Sequence, residues 1–245
     1  MTDAFHGLAR RLPAVAALLA ATGAAQAADF NALKLLDQKE FRAFSEDVAS
    51  AISYKGMIPA EGLGITGFDL GVRAGATEVS NREVLRKAAS GASVPKAVPL
   101  VGVHAVKGLP FDIDIGATVM TLPGTNIRAT GGEVRWAFVG GNTLLPALAV
   151  RLSTVGLSGV DELKMRSTGI DLSISKGFLF ATPYAGIGRV NVTSKAPGTG
   201  LQDESFGQSK VFAGVNIAFV PMALALEVDK TGEATSYGVK LAIRW

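Results

Sequence analysis

The chain has 245 residues, 24 of them basic and 21 acidic, for a formal net charge of +3. That near balance excludes the concentrated basic face that nucleic-acid binding needs, and the absence of cysteine excludes a lipid-modified amino terminus, a disulfide scaffold and a thiolate metal site. A hydrophobic content of 48% and a mean hydropathy of +0.32, alongside 29 glycines, are high for a water-soluble protein.

Residues 1–27 read as a secretory signal peptide. Arg10 and Arg11 form its positive region, Leu12 to Gly23 its apolar stretch, and Ala25-Gln26-Ala27 a small-residue cleavage site. Losing Arg10, Arg11 and Asp3 with the leader brings the net charge to +2. Beyond the leader the longest uncharged run, Val211 to Leu226, carries Asn216 and Pro221 in its middle, so no helical span is expected. An exported, apolar chain without such a span points to a closed barrel, the other structure that satisfies its backbone in lipid.

From Asp29 to Tyr54 the apolar period is helical. Phe41, Phe44, Val48 and Ile52 recur at spacings of three and four, with Lys39, Glu40, Arg42, Glu46 and Asp47 around them. The favoured expectation for this 28–62 segment is a periplasmic helix packed against the barrel rim; a plug in the lumen is the alternative.

From residue 63 to 245 the period is two. Phe68, Leu70, Val72 and Ala74 alternate with Asp69, Gly71, Arg73 and Gly75, and after a polar insert a second strand covers Val98 to Val106. The third sets Phe111, Ile113, Ile115, Ala117 and Val119 against Asp112, Asp114, Gly116 and Thr118. The fourth sets Val134, Trp136 and Phe138 against Glu133 and Arg135, and the fifth Leu148, Val150 and Leu152 against Ala149 and Arg151, with Pro146 read as a bulge. Ile170, Leu172 and Ile174 oppose Asp171 in the sixth. The seventh, Phe178 to Val192, has no assignable parity, since Tyr184 shares its face with glycines and Ile187 with Arg189. Val211, Val215, Ile217 and Phe219 lead the eighth, Met222, Leu224, Leu226 and Val228 the ninth, and the tenth ends the chain.

Ten strands, joined alternately by tight and looser connections, describe a closed antiparallel transmembrane β-barrel, all-β in class, with both termini periplasmic. Phe111, Trp136, Phe138, Phe178, Phe219 and Trp245 fall together at one end as an interfacial aromatic girdle. A soluble β-sandwich also alternates, but its apolar face serves a core; here nearly every strand opposes that face with glycine, alanine and charge.

The lumen side then carries Asp69, Arg73, His104, Asp112, Asp114, Glu133, Arg135, Arg151, Asp171, Glu227, Asp229, Lys240 and Arg244. Closure places Lys240 and Arg244 beside Asp69, with Glu227 and Asp229 on their other side. A salt-bridged core is one reading; a narrow pore, with space left by inward glycines such as Gly71, Gly214 and Gly238, is the other. His104 near Asp112 and Asp114 is the sole arrangement suggestive of hydrolysis, and it lies at the periplasmic end, so no enzyme is expected. No phosphate loop, nucleotide fingerprint or metal-ligand cluster appears, so no cofactor or metal is expected.

The last ten residues, Ser236 to Trp245, set Tyr237, Val239, Leu241, Ile243 and Trp245 on one face and end on an aromatic. This resembles the carboxyl-terminal signal of Gram-negative outer-membrane β-barrel proteins. The resemblance implies a Gram-negative outer-membrane location, contact with outer-membrane lipid, and recognition of these five residues by the barrel-assembly machinery. The functional expectation is a narrow passive channel for small solutes. The alternative is a structural or surface-contact barrel with a closed lumen, and an outer-membrane hydrolase comes third. The sequence leaves the solute and the oligomeric state open.

Overall fold

A computed structural model describes residues 30–142 and 144–245; the expected signal peptide, 1–27, lies outside the described residues. Ten strands run β1 Phe68–Glu78, β2 Ala97–Gly108, β3 Ile113–Thr121, β4 Arg128–Gly140, β5 Ala147–Ser158, β6 Lys164–Ser175, β7 Ala181–Lys195, β8 Glu204–Phe219, β9 Met222–Thr231 and β10 Ala234–Arg244. Each pairs antiparallel with its sequence neighbours, and β1 pairs with β10, so the sheet is a closed barrel with no free edge. Connections 109–112, 141–146, 176–180 and 220–221 lie at one end, the turn end. The opposite, loop end carries 79–96, 122–127, 159–163, 196–203 and a two-residue turn at 232–233, tighter than its sequence suggests. Pro146 precedes β5 and causes no bulge; the register shift falls between Trp136 and Val139 instead.

Helix α1, Gln38–Ile52, starts at a capping box in which Asp37 accepts from the Glu40 amide and the Glu40 side chain accepts from the Asp37 amide. It is shorter than the expected 29–54 stretch and is preceded by a 3-10 turn at Leu33–Leu35. A second helix, α2, Arg82–Ala88, occupies the β1–β2 loop. The favoured expectation for α1 fails: it lies inside the barrel. Phe41, Phe44 and Ala49 are completely buried and share one apolar cluster with Met120, Ala129, Val155, Met165, Val190, Val192 and Phe206 on the inner walls of six strands, β3 to β8. Ser45 donates to Ser194 at 2.8 Å and Ser50 to the Thr231 carbonyl at 2.9 Å. An amphipathic helix needs an apolar surface to cover, and the inner wall near the loop end provides it.

The helix descends from the loop end, where Gln38 exchanges hydrogen bonds with Gln202. The chain then runs extended and buried from Ser53 to Ala60 and reaches the turn end, where the Ala60 amide donates to Ser175 at 3.0 Å and the Leu63 amide to Asp114 at 3.1 Å. Residues 30–63 therefore thread the barrel along its length. Phe30 and Trp245 lie at opposite ends of it.

Candidate functional site

Strand polarity inverts partway up the barrel. Along β8 the outward residues Val211, Ala213, Val215, Ile217 and Phe219 give way toward the loop end to Ser209, Gly207 and Ser205, while the inward set changes from Asn216, Gly214, Phe212 and Lys210 to Gln208 and Phe206. On β7 the outward Pro183, Ala185 and Ile187 give way to Arg189, Asn191, Thr193 and Lys195; on β6, Ile174, Leu172 and Ile170 give way to Thr168, Arg166 and Lys164. The turn half thus has an apolar outside and a charged inside, and the loop half has the reverse. From Val211 to Val220 the apolar outer face of β8 is roughly 23 Å tall, at about 3.3 Å per residue and a tilt of about 40°, close to the band of about 25 Å that a membrane barrel presents. The turns that close this half are apolar as well: Phe111, Leu144, Leu179 and Val220 are almost wholly exposed. The girdle residues Trp136, Phe138, Phe178, Phe219 and Trp245 are exposed at this end too, with Trp245 stacked on Phe68.

Inside the turn half, the charges form groups around the threaded segment. At the closure, Asp69 accepts from Lys240 and from Arg244 Nε, each at 2.8 Å, as adjacency of β1 and β10 requires. Arg244 also donates to Asn216 at 2.9 Å. Glu227 and Asp229 do not join this group. Glu227 accepts from Tyr184 at 3.0 Å, and Asp229 faces Lys55 of the threaded segment at 3.4 Å. In the middle, Arg151 lies 2.5 Å from Glu133 and 3.5 Å from Asp171, which Lys210 also reaches at 3.1 Å. Nearest the turns, Arg135 pairs with Asp114.

These cations also hold the threaded backbone. Arg73 donates to the Lys55 carbonyl at 2.8 Å and Lys210 to the Tyr54 carbonyl at 2.6 Å, while Arg135 donates to Glu61 O at 2.9 Å and to Pro59 O. Two glycines are fitted to this path. A Cβ on Gly56 would fall 2.2 Å from the Arg151 guanidinium, and one on inward-facing Gly238 would fall 3.0 Å from the Met57 side chain. The space at Gly238 that sequence reading offered to a pore thus accommodates the chain's own methionine. Among the described residues, small cavities remain beside the segment, one of about 30 Å³ lined by Tyr54, Lys55, Met57, Arg73, Thr118 and Ser236 among others and one of about 40 Å³ lined by Val48, Ala51 and Ile52 among others, each large enough for a water.

Of the expected lumen residues, Asp112 is misplaced. It sits exposed in the β2–β3 turn, where Phe111 and Asp112 have φ of 67° and 55°, so the strand ladder starts only at Ile113. Arg244 is partly exposed and the remaining eleven are buried. Sequence reading missed Lys210 and Lys55, both buried at the centre. His104, 2% exposed, lies 3.2 Å from the Tyr54 hydroxyl, 3.8 Å from Asp69 and 3.7 Å from Glu133; Asp112, its suggested partner, is not among these neighbours. At the loop end, burial raises the Asp47 carboxyl above its usual range, although the Ser80 and Asn81 amides donate to it at 3.1 and 2.6 Å.

No protein-family model and no curated protein matches the chain. The solved structures similar to this chain include OmpT, Ail and OprG. A loop-deletion variant of OmpT from Vibrio cholerae is 16% identical over 61% of this chain and 54% of that one, with a TM-score of 0.33, so the match spans about half of that relative. Ail, the attachment invasion locus protein of Yersinia pestis, is 10% identical over 76% of this chain and 99% of its own, with a TM-score of 0.32. OprG from Pseudomonas aeruginosa is 9% identical over 77% and 99%, with a TM-score of 0.34. The closed antiparallel sheet, the apolar outer band and the aromatic end give this chain the architecture of a Gram-negative outer-membrane β-barrel.

Proposed function

We propose that this protein is a closed outer-membrane barrel that acts through the polar collar and loops of its loop half. The carrying observation is the filled lumen: residues 30–63 occupy it from end to end, held by Arg73, Arg135 and Lys210 on their carbonyls. By the rule that short turns belong to the periplasm and longer loops to the exterior, Trp245 is periplasmic and Phe30 emerges at the cell surface. A narrow channel, the expectation from the glycine-lined interior, requires this segment to leave the lumen. A hydrolytic role for His104 is disfavoured, because the same segment covers it with Tyr54.

Planar-bilayer conductance tests this reading. The intact barrel is expected to be silent, and a variant lacking residues 38–58 to conduct. Steady conductance by the intact protein would replace this reading with the channel. If it does conduct, Ser45→Cys with Ser194→Cys, whose native hydroxyls lie 2.8 Å apart in a chain without other cysteines, shows whether the helix must move: a disulfide would stop the current and reduction would restore it.

A further inference from the structure

The outer surface of the loop half is electrostatically one-sided. On β4 to β8, above the apolar band, the outward positions include Arg128, Lys164, Arg166, Arg189 and Lys195, separated by threonine, serine, asparagine and glycine, with no acidic side chain on that face of those strands. Lys195 is neutralised by Asp203 from the neighbouring loop. Among the described residues, Arg128, Lys164, Arg166 and Arg189 have no hydrogen-bonding or ion-pair partner for their side chains, although all four are exposed. On the far side of the barrel Lys230 has Glu233 within 3.6 Å, and the outward face of β1 ends on Glu78.

The height of these cations matters as much as their number. Arg189 directly follows the last outward apolar residue of β7, Ile187, and is paired in register with Ile170, the last outward apolar residue of β6. Its guanidinium lies over Gly207 of β8, 2.6 Å from where a Cβ on that glycine would stand. Arg166 lies two outward positions beyond Ile170, past Thr168. Guanidinium groups at the boundary between lipid-facing and water-facing surface meet headgroups, and their planar fork suits phosphate oxygens bidentately.

We propose that this β4–β8 face binds the phosphate groups of a phosphorylated glycolipid in the outer leaflet, with Arg166 and Arg189 as the principal contacts, Arg128 and Lys164 at the margin, and Thr168 and Asn191 available to sugar hydroxyls. The proposal rests on the loops facing outward. It does not depend on whether the lumen conducts.

The test is made with the purified full-length barrel in neutral detergent, measuring binding of three probes: the phosphorylated glycolipid anchor of lipopolysaccharide, the same anchor after enzymatic dephosphorylation, and phosphatidylglycerol. The intact protein is expected to retain the phosphorylated anchor and to lose it on dephosphorylation. Arg166→Gln with Arg189→Gln is expected to weaken retention about 30-fold, on the basis of the contribution of each basic residue near an anionic surface. Lys230→Gln, on the far side, is expected to leave it unchanged. Equal binding of phosphatidylglycerol would overturn the glycolipid assignment and point to an inner-leaflet position. Unchanged retention in the double variant would overturn the site. Both variants keep the buried network, so heat-modifiable migration on gels verifies that each is folded.

Discussion

The two halves of the barrel solve opposite problems with the same ten strands. In the loop half, water lies outside and an apolar helix inside, so Phe206, Val190, Val192 and Met165 point inward and Ser205, Arg189, Thr193 and Arg166 outward. In the turn half, the outside is an apolar band and the wall reverses, with Asp69, Glu133, Arg135, Arg151 and Lys240 in the lumen. The loop half is thus held by hydrophobic burial, as in a soluble domain. The turn half relies on buried ion pairs, several of them hydrogen-bonded, and removing one partner of such a pair is costly. A single helix and its extension bridge the two by changing character at Ser53, where the amphipathic period stops and backbone carbonyls take over as acceptors for the cations.

The two largest effects are of similar size, and the first comes from breaking the charged half. Arg135→Met leaves Asp114 with the Leu63 amide but no cation, and the Pro59 and Glu61 carbonyls without their guanidinium donor, at a cost of about 3–5 kcal/mol. Urea unfolding from detergent is the measurement. The double variant Arg135→Met with Asp114→Leu should recover most of that loss, which would separate the penalty of an orphaned charge from the worth of the pair.

Next, Phe44→Ala in the apolar half removes a side chain that is fully buried and sets its ring edge against Phe30, 5.1 Å between centroids. The expected cost is about 3–5 kcal/mol by cavity formation. It should loosen the helix from the loop end, so protease susceptibility at 30–52 should rise before the barrel itself unfolds. Simultaneous loss of both would mean that the two halves do not separate energetically.

Much of this was legible from residue order, for reasons that also mark where it stopped. The Asp69 contact with Lys240 and Arg244 follows from closure and strict alternation alone. The parity of β7 could not be read because the rule changes within the strand: Ile187 and Arg189 both point outward, one to the band and one above it. Lys210 is missed by any reading that begins β8 at Val211, although it shares parity with Phe212 and Phe206. Lys55 lies in a stretch with no period at all. The location of α1 was hidden because its apolar face is explained equally well by a rim or a lumen. The distinguishing signal lay elsewhere, in Met165, Val190, Val192 and Phe206 pointing away from a polar outer face.

A smaller effect tests the boundary itself. Leu172→Arg places a charge within the apolar band, whereas Thr168→Arg places the same charge four residues up the same outward face of β6. The first should cost about 2–4 kcal/mol and the second about 0–1 kcal/mol, following the depth dependence of arginine on a barrel's lipid face. Folding efficiency into vesicles reads the difference. Equal costs would remove the case for a membrane boundary between these positions.

The smallest perturbation is meant to leave stability untouched and fix which half faces outward. Leu35 is 53% exposed at the loop end and Leu179 wholly exposed in the β6–β7 turn; neither supports a packed core, and the chain has no cysteine of its own. Leu35→Cys should react with a membrane-impermeant maleimide on intact cells, and Leu179→Cys only after the outer membrane is permeabilised. The reverse pattern would turn the barrel over, placing the cationic face of β4–β8 against the inner leaflet and the apolar turns toward the exterior. Labelling of both on intact cells would instead argue against the turn half being embedded, since Leu179 borders the apolar band that the bilayer is taken to cover.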